Sequence, residues 1–283
     1  MIRLSALTLA FALLALPAGA ESHPEAKRVV SLGGSVTEIV VALGQQDRLV
    51  ARDTTSTWPA EITALPDVGY VRQLSPEGLL SVGPDLILAE AGAGPAETVQ
   101  QMQAAAIPFV TIPEGRDGPG VAAKIRAVGE ALGTPAAAAE LAARVQGQID
   151  TAAARAAGLR RPRVLFVLSL QGGRVLASGS GTQADAVIRL AGGENAVTGF
   201  EGYKPLTEEA IITAQPEVIL MMDRAGDHGA TADQLFALPA LATTPAARDR
   251  RLVQMDGLLL LGFGPRTGEA VARLSEALHG RDG

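Results

Sequence analysis

Tyrosine is the residue type whose number and spacing first suggest chemistry in this chain. The 283-residue sequence has two tyrosines, Tyr70 and Tyr203. Each follows a glycine and opens a similar unit, VGYVRQLSPEGLLSVGPDLIL in the first half and EGYKPLTEEAIITAQPEVILM in the second. An ionised phenol is a hard anionic ligand that suits ferric iron. The repeat therefore predicts one structural unit used twice, with a phenol at equivalent points.

The surroundings of Tyr70 favour an exposed and ionisable phenol. Tyr70 lies in a turn-like stretch after Pro66 and before a helix. Arg72 follows two residues later, and residues i and i+2 of an extended segment point the same way. A neighbouring guanidinium and a bound Fe(III) would each favour the phenolate. From the residues alone, a metal-ligating Tyr70 and a structural turn tyrosine beside an incidental arginine both stay open.

Groups suited to catalysis are scarce. The chain has no cysteine, which excludes disulfides, thiolate metal sites and thiol nucleophiles. Its three histidines, His23, His228 and His279, are scattered, and no GxSxG, HExxH or P-loop spacing occurs. The stretch SGSGTQAD lacks a following lysine and favours a helix-capping turn over a phosphate cradle. These features favour a binding protein over an enzyme.

The N-terminus is typical of a secretory signal. Arg3 gives the positive start, residues 4–16 an apolar core, and Ala18-Gly19-Ala20 a cleavage motif. The core is shorter than the roughly 20 residues that span a bilayer. We therefore expect a cleaved signal at residues 1–20 and an exported protein. The formal net charge of −6, without an extended basic run, argues against a nucleic-acid partner.

Strand and helix patterns alternate in both halves of the chain. Apolar runs at residues 28–32 and 86–89 and in RVLFVLSL predict strands, and residues 76–82 and 266–278 predict helices. Such alternation is typical of parallel sheets covered by helices.

An alanine-rich stretch separates the two halves. Thr134-Pro135 provides an N-cap and a first helical position, and residues 135–157 predict one helix of roughly 35 Å. We predict an α/β fold with two Rossmann-like lobes, one long rigid α-helix joining them, and a ligand cleft between them. The predicted limits are a signal peptide at 1–20, an N-terminal lobe at 21–115, a linker with the bracing helix at 116–161, and a C-terminal lobe at 162–283.

Each repeated unit also places a glutamate near the start of its helix. Glu77 and Glu209 lie seven residues before Pro84 and Pro216. Acids in a first turn compensate the helix dipole, and this explanation needs no partner. Equivalent carboxylates on two lobes would also suit arginines of a two-fold membrane protein.

From Arg28 onward the chain resembles the haem-binding periplasmic proteins of bacterial ATP-binding-cassette (ABC) importers, within the class III group that also binds cobalamin and iron-siderophores. The resemblance is carried by SVTEIVVALG, DTTSTWP, VGYVRQLSPEGLLSVGPDLIL, GTQADAVIRLAGGENAV, GYKPLTEEAI and MDGLLLLGFGPRT. It implies a monomeric, non-enzymatic periplasmic protein of iron acquisition. The implied partners are haem and an inner-membrane permease dimer with its ATPase, on which Glu77 and Glu209 dock.

The resemblance also implies the roles of individual cleft residues. Tyr70 would ligate the haem iron, and Arg72 would hydrogen-bond to Tyr70. Tyr203 and Lys204 would line the opposite cleft wall, and Arg224 would meet a propionate. No histidine occurs in LSLQGGRVLASG or around GYKPL, so we expect a single tyrosine ligand.

Three alternatives stay open at this stage. In the first alternative, the cargo is a ferric siderophore or cobalamin, although few arginines lie near the repeats to bind an anionic siderophore. In the second alternative, the protein is an exported enzyme that acts on a small molecule in the same cleft. The lack of a nucleophile and base in the sequence weakens this hypothesis. Finally, a sensor that reports its ligand to a membrane receptor would share the same fold.

Overall fold

The computed structural model describes residues 22–171, 174–223 and 231–280. The predicted signal at 1–20, His228 and the predicted ligand-binding residue Arg224 lie outside these residues. Within the described segments, none of the helices combines the length and apolarity needed to cross a membrane.

The N-terminal half folds into a parallel sheet flanked by helices. Its four strands pair in the order β2-β1-β3-β4, all parallel. Strand β1 and the first four residues of β3 are buried, as expected for parallel strands covered on both faces. In chain order the elements are β1 (Val29–Leu32), α1 (Gly34–Ala42), β2 (Leu49–Arg52), α2 (Pro76–Ser81), β3 (Leu86–Glu90), α3 (Ala96–Ala104) and β4 (Phe109–Ile112).

Two packed helices connect this sheet to the second one. They are α4 (Gly118–Ala131) and α5 (Pro135–Ala156), so the predicted long helix is confirmed to within one residue. A Cβ on Gly129 would lie 2.1 Å from the Ala138 Cβ, so the helices meet where only glycine fits. Thr134 occupies the N-cap of α5 but makes no side-chain capping bond, contrary to the role expected for its hydroxyl. The sequence did not reveal α4 as a separate helix.

The C-terminal half holds a mixed sheet in the order β10-β9-β5-β6-β8, with β7 beside β5. Strands β5, β7, β9 and β10 run parallel, whereas β6 is antiparallel to β5 and β8. The parallel arrangement predicted from strand–helix alternation does not extend to β6, because two residues separate β5 from β6 and a parallel crossover needs a dozen or so. The elements are β5 (Arg163–Gln171), β6 (Arg174–Ser178), α6 (Gln183–Leu190), β7 (Glu194–Asn195), β8 (Tyr203–Pro205), α7 (Glu208–Ala214), β9 (Val218–Asp223), α8 (Ala232–Phe236), α9 (Pro239–Ala242), α10 (Pro245–Arg248), β10 (Leu252–Asp256), α11 (Gly257–Leu261) and α12 (Thr267–His279).

The helix–strand part of the sequence repeat is one structural unit used twice, whereas the two tyrosines that open it are placed differently: Tyr70 lies at a turn and Tyr203 on β8. Ser75 caps α2 by accepting from the Gly78 N–H at 3.0 Å, and Thr207 caps α7 by accepting from the Ala210 N–H at 3.2 Å. In both units the capped helix is followed by a buried proline and an inner strand, β3 or β9. The limits predicted for the two lobes and the linker stay a prediction.

A buried lysine ties α4 to both lobes. Lys124 is 1% exposed, and its ammonium donates to Ser35 Oγ at 3.0 Å and to Glu90 Oε1 at 3.1 Å. It also donates to the Gly262 carbonyl of the C-terminal half at 3.3 Å. All three ammonium protons therefore have acceptors, which a buried charge requires.

We predict that Lys124→Ala lowers the free energy of unfolding by about 3 kcal/mol, because it leaves Glu90 without its ion-pair partner and opens a cavity. Urea unfolding followed by circular dichroism measures this change. The matched control is Lys27→Ala, at an exposed position. Equal unfolding midpoints for the two variants would contradict the role assigned to Lys124.

Candidate ligand cleft

The N-terminal wall of the cleft is built on the carboxyl edge of the parallel sheet, where α/β folds commonly bind ligands. Asp53, directly after β2, is fully buried and orders this edge. Its carboxylate accepts from the Gly33 N–H at 3.0 Å, the Thr55 hydroxyl at 2.6 Å and the Ser56 hydroxyl at 2.6 Å. These bonds fix the loop after β1 against the loop after β2.

The two lobes meet at this edge. A Cβ on Gly34 would lie 2.5 Å from Leu258 Cδ1, so a side chain at residue 34 would push α11 away. In addition, the Arg116 guanidinium donates to the Gly181 carbonyl of the C-terminal half. The N-terminal loops and the C-terminal lobe are therefore held against one another at several points.

Tyr70 and Arg72 lie on a turn next to this wall. The turn is closed by the Gln73 N–H donating to the Tyr70 carbonyl at 2.7 Å. Tyr70 is 42% exposed and Arg72 is exposed, while Val71 between them is buried. The burial of Val71 leaves its two neighbours projecting away from the core. No hydrogen bond joins the phenol to the guanidinium among the described residues, and the predicted pairing of Tyr70 with Arg72 stays a prediction.

Tyr203 lies on the C-terminal lobe, and the charge of Arg72 on the N-terminal lobe acts on its phenol. Burial raises the pKa of the Tyr203 phenol above its ordinary value, and the Thr182 hydroxyl, the Ala184 N–H and the Arg72 charge partly oppose this rise. The Tyr203 ring packs edge-on against Phe166, with ring centroids 6.3 Å apart. Burial therefore favours the neutral form of the Tyr203 phenol. Tyr203 is half-buried, whereas Tyr70 is exposed.

The structure separates Tyr203 from its neighbour Lys204. Successive residues of a strand point to opposite faces, and both residues lie on β8. The Lys204 ammonium lies 5.3 Å from the centroid of the Phe200 ring, a cation–π contact. Glu77 and Glu209 are exposed on α2 and α7, on separate lobes. The predicted ligand-binding roles of Tyr203 and Lys204 stay predictions. The predicted docking of Glu77 and Glu209 on a permease also stays a prediction.

The sequence reasoning missed an aromatic–cation group that also joins the lobes. Trp58 is the only tryptophan and is 48% exposed, and the Arg266 guanidinium lies 4.5 Å from its ring centroid. Arg266 also donates through Nε to Glu38 Oε1 at 3.0 Å. Burial raises the pKa of the Glu38 carboxyl, although Arg266 opposes the rise. The single tryptophan was an available signal, but no local pattern connects residues 38 and 58 to residue 266.

Comparison with known proteins decides the family. Residues 29–258 match the family described as periplasmic binding protein. The chain belongs to the periplasmic binding protein family.

The solved structures of two periplasmic heme-binding proteins are similar to the chain. The apo form of the periplasmic heme-binding protein RhuT from Roseiflexus sp. RS-1 is 40% identical, over 89% of this chain and 98% of that chain, with a TM-score of 0.86. The periplasmic heme-binding protein BhuT in complex with two hemes is 44% identical, over 89% of this chain and 99% of that chain, with a TM-score of 0.83. The vitamin B12-binding protein of Yersinia pseudotuberculosis is 30% identical, over 77% of this chain and 75% of its own length.

Because the chain has two tyrosines, removing Tyr70 allows the titration of the Tyr203 phenol to be measured by itself. In Tyr70→Phe, the tyrosinate ultraviolet absorbance reports Tyr203 alone, and we predict a titration midpoint above about 10, the value of a free phenol. Adding Arg72→Ala should move the midpoint further up, because the opposing positive charge is removed.

The control for that titration is Arg126→Ala in the same Tyr70→Phe background, since Arg126 is an exposed arginine on α4. A midpoint below 10 would contradict the dominant effect of burial on Tyr203, and equal shifts from the two arginine variants would contradict the electrostatic effect of Arg72 on Tyr203.

Proposed function

We propose that this chain is an exported, periplasmic protein that binds haem between its lobes and delivers it to an inner-membrane ABC permease with its ATPase. Family membership supports a transport role. Haem as the cargo is supported by the two solved heme-binding proteins that are 40% and 44% identical to almost the whole chain. Export would use the predicted signal at residues 1–20, which is then cleaved.

The observation that carries the proposal is the different environment of the two tyrosines. Tyr70 presents 42% of its surface on the N-terminal wall, whereas Tyr203 is half-buried on the C-terminal wall. The positive charge of Arg72 acts electrostatically on Tyr203 and partly opposes the rise of its pKa. An exposed phenol beside a cation, in a crevice between lobes, is suited to ligating the ferric iron of haem.

In this proposal the cleft residues have separate tasks. Tyr70 ligates Fe(III) as a tyrosinate, and Arg72 stabilises the phenolate with its positive charge. Tyr203, kept neutral by burial, lines the opposite wall against the flat porphyrin. Arg224 supplies further positive charge by meeting a propionate. Lys204, on the opposite face of β8 from Tyr203, is given no contact with the haem.

A single protein ligand fits a protein that must release its cargo. The haem is held by one coordination bond from Tyr70, together with burial of the porphyrin and ionic contacts to its carboxylates. Separation of the lobes at the permease would remove the contacts from the C-terminal wall, leaving that one bond to break.

Cobalamin is the second candidate cargo, because a vitamin B12-binding protein is 30% identical over most of the chain. Cobalamin carries its own lower axial base and needs no phenolate from the protein. Haem binding therefore gives the exposed Tyr70 beside Arg72 a function as an iron ligand. Cobalamin binding gives Tyr70 no such function. Ferric siderophores, whose iron is already enclosed by the siderophore, likewise leave Tyr70 unused. Competition between haem, cyanocobalamin and a ferric siderophore in one titration compares the three cargoes directly.

Titration with ferric haem tests the proposal. The wild-type chain should show a high-spin tyrosinate absorption spectrum, and Tyr70→Phe should lose that spectrum and weaken binding about a hundredfold. Arg72→Ala should weaken haem binding about tenfold, because Arg72 acts on the iron ligand Tyr70 and does not contact the iron.

The matched control is Tyr203→Phe, which removes the other phenol and should keep the tyrosinate spectrum. An unchanged spectrum in Tyr70→Phe would remove Tyr70 from its role. Tight binding of cyanocobalamin without binding of haem would replace the proposed cargo.

A further inference from the structure

Two exposed aliphatic side chains occupy equivalent positions on the two lobes. Leu80 on α2 is 47% exposed and Ile212 on α7 is 43% exposed. Among the described residues, the other exposed large hydrophobic side chains are Trp58 and Tyr70, which belong to the cleft region. Neither Leu80 nor Ile212 is explained by the cleft.

Folding of the two helices does not require these side chains. Each follows a residue of its own type that is buried: Leu79 is 0% exposed before Leu80, and Ile211 is 2% exposed before Ile212. The buried member of each pair anchors the helix on its lobe. The outer member contributes little to the core while leaving apolar surface in water, so its apolar character needs another reason.

Each exposed aliphatic residue shares a helix face with a free carboxylate. Glu77 precedes Leu80 by three residues, and Glu209 precedes Ile212 by three, a spacing that makes them surface neighbours about one turn apart. Both glutamates are exposed, and neither has an ion-pair partner among the described residues. The chain thus presents the same acid–aliphatic pair twice, once on each lobe.

We propose that Leu80 and Ile212 are the apolar anchors of the interface with the permease dimer, an inference that rests on the proposed transport function. Each permease subunit would offer a small apolar pocket beside an arginine or lysine. The pocket takes the aliphatic side chain, and the basic residue pairs with the neighbouring glutamate. Two equivalent pairs on one chain fit the two equivalent faces of a two-fold symmetric partner.

Energetics favours an aliphatic anchor over a purely ionic contact. Ion pairs that stay exposed contribute little affinity because water and salt screen them. An aliphatic side chain that enters a pocket excludes water from the ion pair next to it, as at the energetic centres of protein interfaces. The carboxylates then guide encounter and register, and the aliphatic residues slow dissociation.

The test measures binding of the mature chain to the organism's haem permease–ATPase complex in lipid nanodiscs, by surface plasmon resonance, with and without haem. The variants are Leu80→Gln, Ile212→Gln and the double variant; glutamine keeps helix propensity and similar size. Each single variant should weaken binding about tenfold and the double variant about a hundredfold, mostly by faster dissociation.

Two sets of controls separate an anchor from a general surface effect. Ala123→Gln and Ala139→Gln place the same new residue at exposed positions of α4 and α5, outside both repeated units, and should leave binding within about twofold. Leu80→Met and Ile212→Leu keep the apolar surface and should restore most of the affinity.

Haem titration of the same variants distinguishes failure of this inference from failure of the proposed function. Intact haem binding with weakened docking supports the anchors. Intact haem binding with unchanged docking of the double variant overturns them and leaves the transport function standing. If the wild type binds no haem, the proposed cargo is wrong, and the haem-free docking measurements still decide the anchors. A loss caused by only one of the two single variants contradicts the symmetric arrangement.

Discussion

The cleft depends on the two lobes being held in a fixed relation, and the buried Lys124 ammonium is central to this. The connecting helices α4 and α5 together form a brace between the lobes. Lys124 lies on α4 and donates to the N-terminal Ser35 and Glu90 and to the C-terminal Gly262 carbonyl. A buried charge tolerates little movement of its acceptors, because each lost hydrogen bond leaves part of that charge unsolvated. Opening of the lobes at this point therefore has a high energetic cost.

Other contacts support the same arrangement. The Arg266–Glu38 ion pair joins the start of α12 to α1, and the contact of Arg266 with the Trp58 ring joins it to the loop after β2. Packing is continuous as well, since one apolar cluster contains residues of both sheets, the brace and α12. A shared core makes large hinge motion costly, so we expect release of a ligand to involve limited separation of the lobes near the cleft mouth.

The repeated unit shows how one local structure serves two tasks. On the outer surface, α2 and α7 are alike: each has a hydroxyl cap, a buried aliphatic residue and an exposed pair of glutamate and aliphatic side chains. At the cleft the two units differ, because Tyr70 lies on an exposed turn, whereas Tyr203 lies on a strand and packs against Phe166. The outer faces suit a symmetric partner, and the inner faces suit a cargo that is approached differently from its two sides.

The sequence by itself determined the local elements. The repeat identified α2 with β3 and α7 with β9, and alanine content with Thr134-Pro135 located α5 to within a residue. These predictions of single elements succeed because helix capping, periodicity and burial are set by neighbouring residues. The exposure of Tyr70, Glu77 and Glu209 follows from the same local patterns.

Only the tertiary structure decided which residues meet across the cleft. The contact of Lys124 with Gly262 spans 138 residues, and that of Arg266 with Glu38 spans 228. The effect of the Arg72 charge on Tyr203 and the separation of Lys204 from Tyr203 likewise depend on how the lobes and strands are placed. Such contacts arise from the packing of two sheets against a shared pair of helices. No local spacing in the chain encodes that packing, so residues 38, 58, 124 and 266 could be connected only in three dimensions.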